Sequence, residues 1–278
     1  VHLRPVNAMT QLYCAANLNY VQGMQAAPLS VDIINGRESP PDGGWETHGF
    51  ELLSHTSTLP NFDDEEQIAA VHYAEISQLA QELTGCDHAL VSGHISRNPE
   101  QAEAHSDLGP IQLVHSDFAP SYGQRIRDFY AEGGEKAEAG LSATGISAKD
   151  VAEASRMLIL QFWRNVGPAR MDLPLAFCDV TSTNTAEIIP IPVKNYAGGG
   201  FDFEALAIRA PDSPGSHRWY VYPDMQHDEV VTFRTYDTEM MGRNEPYWTP
   251  HSAFADPSVT LGSPARRSIE LRATCLWT

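Results

Sequence analysis

Lysine is almost missing from this chain: Lys136, Lys149 and Lys194 are all it has, and 18 basic residues face 36 acidic ones for a net charge of −18. A surface that binds nucleic acid needs clustered Lys and Arg to displace counterions from phosphates. Nucleic acid is therefore not an expected partner, and the acidity reads as a solubility device. Cysteine is scarce as well. Cys14, Cys86, Cys178 and Cys275 stand far apart with no CxxC pair, which excludes a zinc ribbon or a disulfide framework and suits reduced thiols in the cytoplasm. No run approaches the roughly 18 apolar residues of a membrane span, and Val1-His2-Leu3-Arg4 does not start the basic-then-apolar pattern of a secretory signal. A cytoplasmic protein without a membrane partner is the expectation. Common catalytic signatures are missing too: there is no GxSxG, GxxxxGK[ST] or HExxH, and Gly198-Gly199-Gly200 does not continue into a dinucleotide fingerprint.

With 42% hydrophobic and 19% charged residues, the 278-residue chain has an ordinary globular composition, enough for one large β domain or two small ones. Ile68, Val71, Ile76, Leu79 and Leu83 recur at helical spacing behind the acidic turn Asp63 to Glu66, and Gly85 sits where a helix stops, so residues 63–85 are predicted helical. Ser147 and Asp150 have the spacing of a capping box that opens another helix. Elsewhere the pattern is strand: Ile111 to Val114, Met157 to Trp163, Trp219 to Tyr222, Glu229 to Tyr236 and Ser268 to Leu276, punctuated by Pro and Gly. Short strands without βαβ alternation predict a mainly β sandwich or barrel with flanking helices. We expect a single domain over 1–278: a β/loop segment at 1–60, the helix at 63–85, and a β core at 108–278 with a polar, mobile insertion at 127–145.

The histidines carry the chemistry. Two histidines and one carboxylate leave three faces of Fe(II) open and mark non-haem iron oxygenases. In a strand, residues two apart share a face, so His-x-Asp delivers two ligands to one side. The spacing alone is weak: 11 His and 36 acids give about 1.4 chance matches, and the chain has three, at His105/Asp107, His115/Asp117 and His227/Glu229. The surroundings separate them. His105 follows a polar, helix-like stretch and His227 precedes a strand in a turn, whereas Ile111, Leu113, His115 and Asp117 fall on one alternating face before Pro120 breaks it. His251, in Thr249-Pro250-His251, is the candidate third ligand, with His217 and His227 as competitors. Fifteen residues on, Arg266 and Ser268 share one strand face, and a guanidinium beside a hydroxyl is a receptor for a carboxylate. The competing reading makes Arg266, Arg267 and Arg272 solvated surface charges.

Several blocks occur in order: Thr47-His48-Gly49-Phe50-Glu51-Leu52-Leu53, His115-Ser116-Asp117 with Arg125 and Arg127, His217-Arg218-Trp219-Tyr220, Asp228-Glu229-Val230, Tyr236-Asp237, Thr249 to Phe254, and Arg266-Arg267-Ser268-Ile269-Glu270. From about residue 46 to the C-terminus these resemble the hydroxylase/desaturase family of fungal secondary metabolism, which includes the aspergillic-acid-type hydroxylase, the fungal gibberellin desaturase and the cephamycin methoxylation component. The resemblance implies a double-stranded β-helix and Fe(II)/2-oxoglutarate chemistry with O₂ as second co-substrate. It implies His115, Asp117 and His251 as metal ligands and Arg266 with Ser268 as the 2-oxoglutarate carboxylate site. Arg267 departs from the family pattern, which has an acidic or similar polar residue there.

Trp163, Arg164, Tyr222, Phe254, Tyr20 and Gln22 are candidate pocket residues, against a buried ion pair for Arg164 and core packing for Tyr222 and Phe254. The expected partner is a small natural-product intermediate; a homodimer is left open, and terpenoid, alkaloid, peptide and polyketide substrates are equally compatible. Two other readings stand beside this one: an iron oxidase or non-redox isomerase that does not use 2-oxoglutarate, and a metal-free β-sandwich binding protein.

Overall fold

The computed structural model describes residues 10–278 apart from 24, 92, 143 and 261. The opening segment from Val1 to Arg4, with the rest of residues 1–9, lies outside the described residues. Fourteen strands follow in the described chain: β1 (Leu12–Gln22), β2 (Gln25–Asn35), β3 (Phe50–Ser54), β4 (His88–Leu90), β5 (His94–Arg97), β6 (His115–Ser116), β7 (Arg156–Asn165), β8 (Leu175–Cys178), β9 (Ile188–Tyr196), β10 (Phe201–Ile208), β11 (Trp219–Val221), β12 (Glu229–Asp237), β13 (His251–Ala253) and β14 (Ser268–Trp277). They form an eight-stranded sheet in the order β1-β2-β11-β8-β13-β6-β10-β9 and a second sheet in the order β3-β12-β7-β14-β4, with β5 also on β14. The two sheets face each other as a jelly roll, the double-stranded β-helix, so the mainly β expectation holds.

Alternation along β7 and β14 builds both sides of the second sheet. Leu158, Leu160, Phe162, Ile269, Leu271 and Ala273 point outward into an apolar cluster with Ile68, Ile76 and Ala80. The residues between them, Gln161, Trp163, Ser268, Glu270 and Arg272, point into the roll, and that parity supplies the polar groups of its interior. A cluster of buried residues around Tyr122 and Trp248 closes one end, and Phe50, Phe177, Phe233 and Trp163 pack toward the other.

The predicted helix at 63–85 is present in three pieces. Past the separate short helix α1 (Gly44–His48), these are α2 (Glu65–Gln67), a wide π turn at Ile68–His72 and α3 (Tyr73–Thr84). Asp64 caps α2 by accepting from the backbone N–H of Glu66 and Gln67, and Gly85 ends α3 in the left-handed region at φ 66°. The π turn leaves His72 only 1% exposed, 2.7 Å from Glu75. Burial pushes its pKa down to about 4 against the hydrogen bond to Glu75, with Arg164 adding to the burial effect. An unfolded His titrates near about 6.5. Between about pH 6.5 and 4 the unfolded chain therefore holds the extra proton, and His72 removes about 3 kcal/mol of stability as pH falls through that window. Urea unfolding at several pH values should show a shallower pH slope in His72→Phe; an unchanged slope sinks the assignment.

The described residues of 127–145 are largely helical, not the irregular polar insertion expected. After α4 (Pro99–Ala104), helices α5 (Tyr122–Glu132), α6 (Glu135–Ser142) and α7 (Ala148–Glu153) pack over one end of the roll, burying Tyr130, Ala137, Ile146 and Val151. Arg127 donates to the carbonyls of Val151, Ala152 and Ala154, tying α5 to the end of α7. The stretch reads as polar because its outer face is solvated, while one apolar residue per turn suffices to anchor it. The Ser147/Asp150 capping box forms as spaced. No helix among the described residues is long and apolar enough to cross a membrane.

Candidate metal centre

The strand that carries the first ligand is shorter than its alternation predicts. Only His115 and Ser116 are in β6, while Leu113 makes an isolated bridge to Asn19 and Asp117 sits in the bend that follows. The brevity matters little, because neighbours fix the register. His115 lies opposite His251 of β13 on one side and Ala207 of β10 on the other. That pairing brings the two imidazoles to 4.3 Å between centroids, and Phe233 backs His251 at 4.8 Å.

Tautomers follow from the hydrogen bonds. Nδ1 of His115 is 2.7 Å from the carbonyl of Leu113, and Nδ1 of His251 is 3.0 Å from that of Thr249. A carbonyl only accepts, so each Nδ1 carries the proton and each Nε2 presents a lone pair. Both Nε2 atoms lie 3.6 Å from Oδ1 of Asp117, less than twice a metal–ligand bond of about 2.1 Å. The three residues form a group able to hold a metal ion, with donor atoms all within 4.8 Å of one another. Two neutral imidazoles and one carboxylate are the donor set of a mononuclear non-haem iron site.

Electrostatics keep His115 and Asp117 in their binding forms. Burial pushes the His115 pKa down to about 4, and the neighbouring His251 ring pushes the same way. For Asp117, burial favours the neutral acid, but the His251 ring beside it, then Arg272 and His115, outweigh it and hold the carboxylate well below its usual range. Its second oxygen, Oδ2, accepts from Nε2 of Gln161 and lies 3.8 Å from Nη2 of Arg272. Gln161 is fully buried and touches Thr235 beyond. It holds the carboxylate with Oδ1 turned to the histidines. In Gln161→Leu, metal affinity should fall about 10- to 100-fold with the fold intact, read by titration with Mn(II) or Fe(II); unchanged affinity would remove Gln161 from the site.

Arg266 is buried, 3% exposed, just before β14. One Nη1 donates to the carbonyl of Leu173, its Cζ lies 5.5 Å from the centre of the Trp163 ring, and its Nε has no hydrogen-bond partner among the described residues. Burial first and the charge of Arg97 second push its pKa down to about 9, against the pull of Glu270 and Asp172. A desolvated guanidinium with no carboxylate paired to it among the described residues suits an anion, and the distal carboxylate of 2-oxoglutarate would match it in chemistry and in charge. Ser268 is 2% exposed and lines, with Arg97, a cavity of about 260 Å³.

The remaining candidates divide. Trp163 faces the interior under Arg266, and Tyr222 belongs to the aromatic cluster that includes Phe177 and Phe233. Arg164 points to the opposite face of β7, where it donates to the carbonyls of His55 and His227, and so does not join the centre. Phe254 and Tyr20 pack in the cluster behind the eight-stranded sheet, Tyr20 hydrogen-bonded to His217 and Trp219; both are core. Gln22 is exposed at the end of β1. His105 and Asp107 pair at 3.6 Å on the surface, more than a third exposed. His227 bonds the carbonyl of Gly167, and His217 bonds Glu187, so neither competes with His251. Arg267 ion-pairs with Glu100 at the surface, whereas Arg266 is buried and Arg272, 31% exposed at its side chain, turns toward Asp117 and Glu270. The residues that sequence reading missed, Gln161, Glu270 and Arg272, share strand parity with Trp163 or with Arg266 and Ser268, and that parity was the available signal.

Known proteins resemble this chain in sequence and in fold. The chain is 29% identical over 261 residues to hydroxylase/desaturase efuI of Hormonema carpetanum, covering 90% of this chain and 83% of that protein. It is 26% identical over 235 residues to the alpha-ketoglutarate-dependent dioxygenase phiK of a fungal species, covering 82% and 77%. Among solved structures, the iron and alpha-ketoglutarate-dependent endoperoxidase NvfI superposes with a TM-score of 0.72 over 95% of this chain and 98% of that one, at 18% identity, so the likeness is one of fold. The family model described as the oxidoreductase/YMDC permease-like domain matches residues 4–276, and the chain belongs to that family.

Proposed function

We propose that this protein is a non-haem Fe(II)- and 2-oxoglutarate-dependent oxygenase that hydroxylates or desaturates a small-molecule intermediate of secondary metabolism. The observation that carries the reading is the meeting of His115, Asp117 and His251, both imidazoles with Nε2 free, inside a roll that also buries an unpaired Arg266. The names of the relatives support it: a hydroxylase/desaturase and an alpha-ketoglutarate-dependent dioxygenase. Fe(II), when bound, supplies the redox chemistry that couples conversion of 2-oxoglutarate and O₂ into succinate and CO₂ to oxidation of a substrate C–H bond.

The chain's own residues bind, orient and exclude. His115 and His251 offer neutral nitrogen, and Asp117 offers one negative charge held in place by Gln161. Arg266 and Ser268 take the distal carboxylate of 2-oxoglutarate, with Trp163 fixing the guanidinium plane. Phe177 and Phe233 keep water from the histidine side. We place the protein in the cytoplasm, which its four free cysteines support. Its partner in this reading is the substrate, not nucleic acid, in keeping with the net charge of −18.

The test is anaerobic titration with Fe(II) and then 2-oxoglutarate, followed by O₂ uptake. The expected results are one Fe(II) per chain, a metal-to-ligand charge-transfer band on adding 2-oxoglutarate, and O₂ uptake that requires it. Oxygen uptake without 2-oxoglutarate would favour the oxidase reading, and failure to bind any divalent metal would sink both.

A further inference from the structure

Behind Asp117, α5 and the inner face of β14 enclose a second cavity of about 200 Å³. Leu90, Tyr122, Ile126, Tyr130 and Ile159 form most of its wall, and Arg272 brings a guanidinium to it. His94, at the same cavity, is already engaged on both ring nitrogens, by Tyr73 and Glu65.

Arg272 is poorly matched to its protein neighbours. Its Nε is buried without a hydrogen-bond partner among the described residues. The two carboxylates near Nη2, of Glu270 and Asp117, stand at 3.6 and 3.8 Å, outside hydrogen-bonding range. Both are committed elsewhere. Glu270 accepts from Arg97 at 3.1 Å, and Asp117 accepts from Gln161 and serves the metal triad. Phe118 lies 5.6 Å from the Arg272 Cζ and holds the guanidinium plane from one side. What remains is an oriented fork of donors beside a metal ligand, at a cavity where Arg272, Thr274 and His94 share the lining with aromatic and aliphatic side chains. A guanidinium in that setting selects a planar anion that it grips bidentately, and the aromatic and aliphatic part of the wall packs against the rest of the molecule.

We infer that this cavity is the primary-substrate subsite and that Arg272 receives a carboxylate, so the substrate class is a monocarboxylic acid. The inference rests on the oxygenase reading above and sharpens it. It also separates the two inward arginines: Arg266, over Trp163, serves the co-substrate, and Arg272, over Phe118, serves the substrate.

The experiment compares an acid with its uncharged amide on the anaerobic Fe(II)·2-oxoglutarate complex, using 4-phenylbutyrate and 4-phenylbutyramide as probes and calorimetry plus perturbation of the charge-transfer band as readouts. The native protein should bind the acid at least about tenfold more tightly than the amide. Arg272→Gln should abolish that preference and Arg272→Lys should keep part of it. Equal binding of the two probes by native protein, binding of neither, or a preserved preference in Arg272→Gln would each overturn the inference. So would a loss of 2-oxoglutarate affinity in Arg272→Gln with the acid preference intact, since Arg272 would then be a co-substrate residue. The acid–amide comparison on native protein needs no variant to fold. If the charge-transfer band never forms in native protein, the failure belongs to the oxygenase reading, and the calorimetric comparison still judges the subsite.

Discussion

Asp117→Ala should leave a folded protein that binds Fe(II) more than about 100-fold more weakly and forms no succinate in response to substrate. Loss of an outer hydrogen bond to a metal ligand alone costs about 10- to 100-fold, and here the ligand itself and the only negative charge of the triad both go. Two neutral imidazoles would remain, with Gln161 and Arg272 left facing an empty place. His115→Ala should have an effect of the same order. Stability is expected to fall in Asp117→Ala, because the partners of the ionised carboxylate outweigh its desolvation and would be left without it. The matched control is His105→Ala in the other His-Ser-Asp tripeptide, which lies exposed and should keep activity within about twofold, in line with surface substitutions away from special features. Metal titration, a thermal melt and succinate release measured on the three variants decide it. Full activity in Asp117→Ala, or equal losses in His105→Ala and His115→Ala, would sink the assignment.

That contrast shows how far the sequence could be read. His105-Ser106-Asp107 and His115-Ser116-Asp117 are the same tripeptide, and only the alternating apolar run ahead of the second told them apart. The run pointed to the right pair for a partly wrong reason. The strand it implied shrinks to two residues, and the rigid support comes from pairing with β13 and β10, strands 136 and 92 residues further on by the registers His251↔His115 and Ala207↔His115. Such long-range pairing leaves no local trace. Strands buried on both faces, such as β7, were legible as runs of apolar residues, but the run hid which face Gln161 takes. Its amide is a polar interruption in an apolar strand, and only its distance to Asp117 gives it a role. The helices over 127–145 were missed because a solvated amphipathic helix and a polar loop have nearly the same composition, and here the anchors Tyr130, Ala137 and Ile146 are few. Arg164 was misplaced by a single step of parity from Trp163, enough to move a side chain from the interior of the roll to its outside.

Arg266→Met should raise the apparent Kd and KM for 2-oxoglutarate roughly 30-fold to several thousand-fold while leaving Fe(II) affinity within a few-fold. Removing one partner of a buried charge-assisted pair costs about 2–5 kcal/mol, and each 1.4 kcal/mol is about tenfold in affinity. Methionine keeps much of the side-chain stem against Trp163, so packing is largely spared and the change reports the charge. The same variant should behave oppositely without ligand. In the free protein the guanidinium is desolvated, its Nε is unpartnered and its pKa is pushed down to about 9, so the cation is a cost to the fold that 2-oxoglutarate would relieve. Arg266→Met should therefore melt at the same or a higher temperature than native protein in the absence of 2-oxoglutarate, and should lose most of the stabilisation that 2-oxoglutarate gives the native Fe(II) form. A structural arginine gives the reverse pattern, a lower melting temperature with the ligand shift intact, and that result would move the carboxylate site away from Arg266 and Ser268.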